Sequence, residues 1–231
     1  MEAIILAGGK AERLGDAAGG RPKALVEIAG RPLAAYQVGR LVHAGVTRVI
    51  FACAAGQGHL FLSELAGSGA EIVAAEEPER LGRGGGIKFA ARERRETGDV
   101  LALNGDELVD VDFAALLAAH RAGGALATIT VARPKSQFGL VDVGDDDVVR
   151  GFEEAGRVPY WVNCGSYVLS DEAIARFPDH GDHESSAFPE LAAEGRLRAY
   201  RHDGLWLTVN TPKELRVARE HVESHPEWLA A

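Results

Sequence analysis

The chain has 231 residues, 46% of them hydrophobic, and a formal net charge of −9 at pH 7. This length predicts one large or two small domains, and the acidic balance argues against a general nucleic-acid-binding protein, which usually presents a basic face. A small anionic ligand needs only a local positive pocket and stays open. Two distant cysteines, Cys53 and Cys164, lack metal-ligand spacing, and no apolar run approaches the roughly 20 residues of a membrane span. We therefore expect a cytoplasmic protein that binds neither nucleic acid nor membrane.

In the first half of the chain, short apolar runs alternate with longer amphipathic stretches. Strands are predicted at residues 3–6, 49–51, 72–73 and 100–103. Helices are predicted from Pro32 to about Gly45 and at residues 59–65, 86–94 and 113–121. Strands that alternate with helices in this way indicate βαβ units and a parallel sheet covered on both faces.

The second half has strand patterns that follow one another closely, at residues 127–131, 139–143, 148–152 and 162–169. Two further strands at 197–200 and 206–209 precede a closing helix at 211–222. We therefore predict an α/β fold, a mostly parallel Rossmann-like sheet with helices on both faces and an antiparallel extension. The whole chain, 1–231, is expected to form a single domain.

The glycine-rich stretch after the first strand indicates an anion site. In a parallel sheet, ligands bind beyond the carboxyl ends of the strands, where Gly8 and Gly9 lie. Glycine lets backbone N–H groups approach an anion closely, and Arg13, Arg21 and Lys23 follow as sources of positive charge. A mobile surface loop with solvated cations is the alternative. GxxxxGK[ST] and GxGxxG are both absent here, which argues against a P-loop and against a dinucleotide-binding protein.

The order of the motifs adds more than any one of them. LAGGKAERLG followed by RPKALVEIAGRPL resembles the start of the nucleotidyltransferases that join an NTP to a sugar 1-phosphate. Further segments extend the resemblance across nearly the whole chain: LGRGGGI at 81–87, LNGDEL at 103–108, FGLV at 138–141, FEE at 152–154, VNCGSYVL at 162–169 and TVNTPKEL at 208–215. The resemblance implies an NTP-binding half at 1–122, and a sugar-phosphate-binding half with the closing helix at 123–231.

The resemblance also implies an Mg²⁺-dependent reaction that makes an NDP-sugar and pyrophosphate, most similar to short mannose- or heptose-1-phosphate guanylyltransferases, with GTP favoured. The acceptor phosphate is already ionised, so catalysis is mostly alignment and charge neutralisation. The implied catalytic residues are Arg13, Lys23 and Asp106, and the implied metal ligands are Asp106 and Asn210. For the nucleotide they are Leu6, Ala7, Gly8, Gly9, Glu77, Gly82, Gly84 and Gly85, and for the sugar phosphate Gly139, Glu153 and Asn163. A monomer or a homodimer is expected.

Two of these assignments have close alternatives. Glu77 is expected to accept hydrogen bonds from guanine, but Glu76, Glu77 and Glu79 can equally form an exposed acidic loop. Asn210 is either a metal ligand or the N-cap of the closing helix, since Asn is a favoured cap.

The sequence also departs from the family pattern. The E-K-P segment, whose lysine approaches the sugar phosphate, is Glu153-Glu154-Ala155 here, and Arg133, Lys135 or Arg157 could replace the cation. Thr208 stands where the family's W-x-D-x-G-T-P motif has its aspartate, although Asn210 fits the related V-(D/N)-x-P pattern.

Two other functions therefore stay open at this point. One is a cytidylyl- or uridylyltransferase acting on another sugar or alcohol phosphate. The other is a non-catalytic regulatory subunit that binds a nucleotide. The lost lysine and aspartate favour the regulatory subunit slightly, whereas Arg13, Lys23, Asp106 and Asn163 weigh against it.

Overall fold

A computed structural model describes residues 1–9, 11–136 and 138–228 of the chain. The strands in these ranges are β1 (Glu2–Leu6), β2 (Glu27–Ile28), β3 (Arg31–Pro32), β4 (Arg48–Ala54), β5 (Glu71–Glu77), β6 (Val100–Asn104), β7 (Glu107–Val109), β8 (Ala127–Ala132), β9 (Leu140–Val143), β10 (Val149–Glu153), β11 (Val162–Leu169), β12 (Leu197–Arg201) and β13 (Trp206–Thr208). The α-helices are α1 (Leu33–His43), α2 (Gly58–Glu64), α3 (Gly82–Ala90), α4 (Phe113–Gly123), α5 (Asp171–Ala175), α6 (Ala187–Ala193) and α7 (Pro212–Ser224). Short 3₁₀ segments include Glu12–Ala18, Lys23–Leu25 and His183–Ser185.

The main sheet has seven strands in the order β12-β8-β11-β6-β1-β4-β5. Strand β11 is antiparallel to both neighbours, β6 and β8, and every other pairing in this sheet is parallel. The predicted α/β fold with a mostly parallel sheet is therefore confirmed. The expected antiparallel extension consists of β11 within the main sheet and a separate β9–β10 hairpin.

Alternation along the strands divides the core into two layers, because successive side chains point to opposite faces. Ile5 of β1 packs in the layer that contains side chains of α1, α2 and α4. Ile4 packs in the opposite layer, with side chains of α3, α5 and α6. Burial of both faces explains why β1 and β4 are almost continuously apolar.

A third cluster joins the two ends of the chain beneath the glycine-rich loop. Leu14 and Ile28 pack with Leu215 and Val222 of α7. A capping box at Thr211 begins α7: its hydroxyl accepts from the Glu214 amide, and the Glu214 carboxylate accepts from the Thr211 amide. This cluster holds the start of α7 close to the first loop.

Short elements are the main difference from the prediction. Strand β13 pairs with β7 outside the main sheet, with Thr208 opposite Glu107. Helix α3 begins at Gly82, earlier than the predicted residue 86, because the glycines of its first turn have low helix propensity and gave no helical pattern. Within the described ranges, no helix is long and apolar enough to cross a membrane. Cys53 and Cys164 are free and fully buried, and burial raises the pKa of each thiol to about 12.

Candidate active site

Two adjoining cavities, of about 600 and 570 Å³, open beyond the carboxyl end of β1. Residues common to both walls are Gly8, Gly9, Glu77 and Arg80. The first cavity, which we name the outer cavity, continues to Ala54, Ala55, Gln57 and Pro78. The second, the inner cavity, continues past Arg13, Lys23 and Asp106 to Glu107, Arg83 and Asp182. The predicted anion-binding loop therefore lies between two open spaces.

Lys23 lines the inner cavity. Its Nζ atom donates to Oδ2 of Asp106 at 2.6 Å and also contacts Oδ1 of Asn210. Lys23 is only 9% exposed and lies in a short 3₁₀ segment, which argues against the alternative of a solvated cation on a mobile loop. Burial of most of its side chain fixes the ammonium group in place.

Asn210 is not the N-cap of α7, because Thr211 fills that position. The Asn210 amide N–H donates to Glu214 Oε2 at 2.7 Å, which holds its backbone against the capping box. Its side-chain oxygen is left to accept from Lys23 and, at 3.3 Å, from Nη2 of Arg13. This removes the main alternative to a functional role for Asn210.

Asp106 and Asn210 fit a divalent cation, because their side-chain oxygens converge on one ammonium group. The described residues contain no group of three or more His, Cys, Asp or Glu side chains able to hold a metal. One carboxylate and one amide are a donor set suited to Mg²⁺, which commonly keeps several waters and takes substrate phosphate oxygens.

The first loop is fixed by the sheet behind it. The Ala7 amide donates to the Ala52 carbonyl at 2.7 Å, and the Leu6 carbonyl accepts from the Gly105 amide at 2.9 Å. Gly8 and Gly9, the next two residues, line both cavities, while Leu6 and Ala7 line only the inner one. The predicted nucleotide loop therefore starts where strand pairing ends.

Glu77 ends β5 and is not part of an exposed acidic loop. Its carboxylate is 8% exposed and accepts from the Leu81 amide at 3.2 Å. Burial raises the pKa of this carboxyl group, and the Leu81 hydrogen bond opposes that shift. Glu76 is different: it is exposed and accepts from the Gly56 and Gly58 amides. Glu77 is thus a buried acceptor on a wall common to both cavities.

The predicted glycines of α3 occupy two kinds of position. Gly82 has φ +80 and lines the inner cavity. Gly84 and Gly85 are buried behind it, and their amides donate to the Gly181 carbonyl at 2.9 and 3.2 Å. Side chains there would collide with the 179–183 loop, so packing explains these two glycines. Their predicted contact with the nucleotide remains a prediction.

The three predicted sugar-phosphate residues lie on two elements, with Gly139 and Glu153 together at the β9–β10 hairpin and Asn163 on β11. Glu153 is exposed at the end of β10 and pairs in register with Leu140, the neighbour of Gly139. Asn163 lies on β11 in the main sheet and donates to Glu184 Oε1 at 2.9 Å. As far as the described residues show, none of the three lines either cavity. Their roles remain predictions.

Glu107 is a cavity residue that the sequence analysis missed. It is 8% exposed, and it accepts from Asn104 Nδ2 at 3.3 Å and Trp206 Nε1 at 3.1 Å. Burial, reinforced by the Asp106 charge, raises the pKa of Glu107 to about 8. Gly165, with φ +63, leaves room for it, since a β-carbon there would lie 2.6 Å from Glu107 Oε2. The sequence signal that could have identified Glu107 is its position directly after Asp106 in the LNGDEL motif.

A mostly parallel sheet, with a glycine loop and two cavities beyond the carboxyl end of its first strand, is the architecture of a nucleotidyltransferase enzyme. The family model described as nucleotidyl transferase matches residues 2–225. Mannose-1-phosphate guanyltransferase beta-A of Xenopus laevis is 30% identical, over 100% of this chain and 68% of its own length. The mannose-1-phosphate guanylyltransferase of Mycobacterium tuberculosis is 31% identical, over 93% of this chain and 62% of its own length.

Solved structures agree on the fold. HddC from Yersinia pseudotuberculosis superposes with a TM-score of 0.75 at 24% identity, covering 95% of this chain and 98% of that one. The same protein complexed with GMP-PN gives a TM-score of 0.72 at 23% identity, with the same coverage. The chain belongs to the nucleotidyl transferase family, as its ordered motifs predict.

Proposed function

We propose that the chain transfers a guanylyl group from GTP to mannose 1-phosphate or a heptose 1-phosphate and releases pyrophosphate. The observation that carries the proposal is the contact of the Lys23 ammonium group with both Asp106 and Asn210, directly beside the glycine loop. Such a group of charges is suited to phosphoryl chemistry, in which the main task is to neutralise and align anions.

In the proposed reaction, an oxygen of the acceptor phosphate attacks the α-phosphorus of the NTP, and the bond to pyrophosphate breaks. The acceptor oxygen is already ionised, so no general base is required. Lys23 neutralises charge at the α-phosphate, and Arg13 binds the outgoing pyrophosphate from the exposed side of the inner cavity. Gly8 and Gly9 provide backbone N–H groups to the triphosphate.

Asp106 and Asn210 are the residues that would hold Mg²⁺. When bound, the ion would supply further neutralisation of the phosphate oxygens. Lys23 contacts an oxygen of each of these two residues, so its ammonium group lies beside the atoms that would hold the ion.

The outer cavity is the proposed site of the base, with Glu77 as its specific acceptor. A carboxylate can accept from both N1–H and the exocyclic amine of guanine, a pattern that pyrimidines do not offer. The buried position of Glu77 supports this, because a desolvated acceptor gains more from a fitting donor. The names of the guanylyltransferase relatives also favour guanine.

Three further features are proposals of the same kind. The two free cysteines support a reducing compartment, so we propose that the protein works in the cytoplasm, as a monomer or a homodimer. We also propose that residues 1–122 bind the nucleotide and residues 123–231 bind the acceptor.

The test is pyrophosphate release measured with each of four NTPs against mannose 1-phosphate, a heptose 1-phosphate, glucose 1-phosphate and phosphocholine. Mg²⁺-dependent release with GTP and a mannose or heptose phosphate is the expected result. Release only with CTP and phosphocholine would replace the proposal with a cytidylyltransferase. Nucleotide binding without release under every combination would indicate a non-catalytic subunit.

A further inference from the structure

The 179–186 loop is tied to the start of α3 by one arginine. The Arg83 amide donates to Oδ1 of Asp182 at 2.8 Å, and its guanidinium lies 3.0 Å from Asp182 Oδ2 and 2.5 Å from Glu184 Oε2. Arg83 and Asp182 both line the inner cavity.

Glu184 continues this network to Asn163. Its Oε1 atom accepts from Asn163 Nδ2 at 2.9 Å and from the Tyr167 hydroxyl at 3.2 Å. Asn163 is therefore connected to the inner cavity through Glu184 and Arg83. The predicted sugar residue Glu153, by contrast, lies on the exposed hairpin.

The proposed positions of the base and the α-phosphate indicate that the acceptor, and not the nucleotide base, contacts the network of Arg83, Asp182 and Glu184. In nucleotidyl transfer the α-phosphate lies between the base and the acceptor. With the base in the outer cavity and the α-phosphate at Lys23 and Asp106, the space left for the acceptor is the rest of the inner cavity, whose wall also includes Arg83 and Asp182. Asn163, which is predicted to bind the sugar phosphate, is hydrogen-bonded to the same network.

The carboxylates of Asp182 and Glu184 are suited to bind hydroxyl groups. Asp182 and Glu184 have side chains that are 39% and 26% exposed, so a ligand can reach them. A carboxylate has about four lone-pair sites, enough to keep its protein partners and accept a further O–H. With one arginine between two carboxylates, the group carries a net negative charge, which favours hydroxyl donors over a phosphate.

We propose that Glu184 and Asp182, held in place by Arg83, bind the ring hydroxyls of the acceptor and select a sugar over a simple alcohol phosphate. This rests on the proposed function and names the residues that set its acceptor. Glu184 and Asp182 are the contact residues, and Arg83 is a positioning residue.

The experiment compares Glu184→Gln and Asp182→Asn with a matched control, Asp179→Asn, in the same loop. Asp179 is exposed and pairs with Lys88, outside the cavity walls as described. We expect each test variant to raise the KM for mannose 1-phosphate about tenfold or more while the KM for GTP and the melting temperature stay near wild type. The control should leave both KM values unchanged.

A second comparison uses 2-deoxy and other ring-deoxy sugar 1-phosphates. Wild type should discriminate against at least one deoxy analogue, and Glu184→Gln or Asp182→Asn should reduce that discrimination.

An unchanged sugar KM in both variants, or parallel rises in the KM for GTP, would overturn the inference while leaving guanylyl transfer intact. Wild-type transfer to phosphocholine but to no sugar phosphate would overturn the proposed function and this inference together. If a test variant melts early, Arg83→Lys, which retains the charge but not the forked contact, should raise the sugar KM alone.

Discussion

Nζ of Lys23 lies 2.6 Å from Oδ2 of Asp106, although 83 residues separate the two in sequence. The same nitrogen contacts Oδ1 of Asn210. One ammonium group therefore joins the first loop, the end of β6 and the start of α7.

Lys23→Ala and Arg13→Ala should each lower kcat. Loss of a cation that stabilises the transition state typically costs a few kcal/mol, or about 10²-fold or more in rate. Arg13 is exposed, so its variant should melt near wild type. Lys23→Ala leaves Asp106 without its ammonium partner, so some loss of stability should accompany the loss of rate.

Steady-state kinetics and thermal melts measure both, with Lys213→Ala on the exposed side of α7 as control. Near-wild-type kcat in both variants would exclude these roles.

Asn210→Ala and Thr211→Ala should change different properties: the first should change the Mg²⁺ dependence of the reaction, and the second the stability of the fold. Thr211 is the observed cap, so its loss should cost about 1 kcal/mol of stability and spare turnover. Loss of the Asn210 oxygen should raise the Mg²⁺ concentration needed for half-maximal rate, and Asn210→Asp should retain metal binding. Mn²⁺ binding followed by electron paramagnetic resonance provides a readout independent of turnover. Normal Mg²⁺ dependence in Asn210→Ala would exclude Asn210 as a ligand.

Glu77→Gln should weaken GTP binding more than ATP binding. The Gln side chain has one acceptor oxygen and one NH₂ donor, so it cannot accept from N1–H and from the exocyclic amine of guanine with two separate oxygens, as the carboxylate can. A lost charge-assisted hydrogen bond is worth about 1.5–3 kcal/mol, or roughly 10- to 100-fold in Kd. Calorimetric titration with GTP, ATP, UTP and CTP measures the change, with the exposed Glu93→Gln, which lies outside both cavity walls as described, as the matched control. Tighter wild-type binding of UTP or CTP than of GTP would contradict the assignment.

His183 should make the protein less stable in acid. It is fully buried, stacks on Phe177 at 4.8 Å, and burial lowers its pKa to about 4. Neither ring nitrogen has a hydrogen-bond partner within the described residues. In the unfolded chain, His183 takes up a proton near pH 6.5, whereas in the folded protein it does so only near pH 4. Protonation therefore favours the unfolded chain, and the free energy of unfolding should fall as the pH drops from about 6.5 to about 4.

The expected loss at this site is about 2 kcal/mol between pH 7 and pH 4.5. Urea unfolding at a series of pH values measures it. His183→Phe should flatten this part of the profile, whereas exposed His180→Gln should follow wild type. Equal slopes in wild type and His183→Phe would show that His183 is not the cause.

Sequence patterns predicted the parts of the fold that depend on local order. The apolar run at residues 3–6 became β1 because both its faces are buried, and Asp106 follows β6 as its strand-end position indicated. The predicted phosphate-binding residues Gly8, Gly9, Arg13 and Lys23 do line one cavity.

Residues whose environment depends on distant partners could not be predicted in this way. Glu107 is buried against Trp206, which lies 99 residues further on. Asn210, predicted as a metal ligand, is also a residue type that favours a helix N-cap, and only the observed hydrogen bonds show that Thr211 has the capping role. Gly84 and Gly85 matched a nucleotide motif, although their amides are used by Gly181, from a loop with no strong pattern of its own.

The contact between Lys23 and Asn210 spans 187 residues, and this sets an order of events during synthesis. A ribosome adds about 5–20 residues per second, so the glycine loop waits roughly ten seconds or longer before Asn210 is made. Until then a nascent chain can pair β1 with β4, but it lacks α7 to cover Leu14 and Ile28. The phosphate site is therefore completed among the last steps of folding, and unfinished chains should be inactive even where their first strands are already folded.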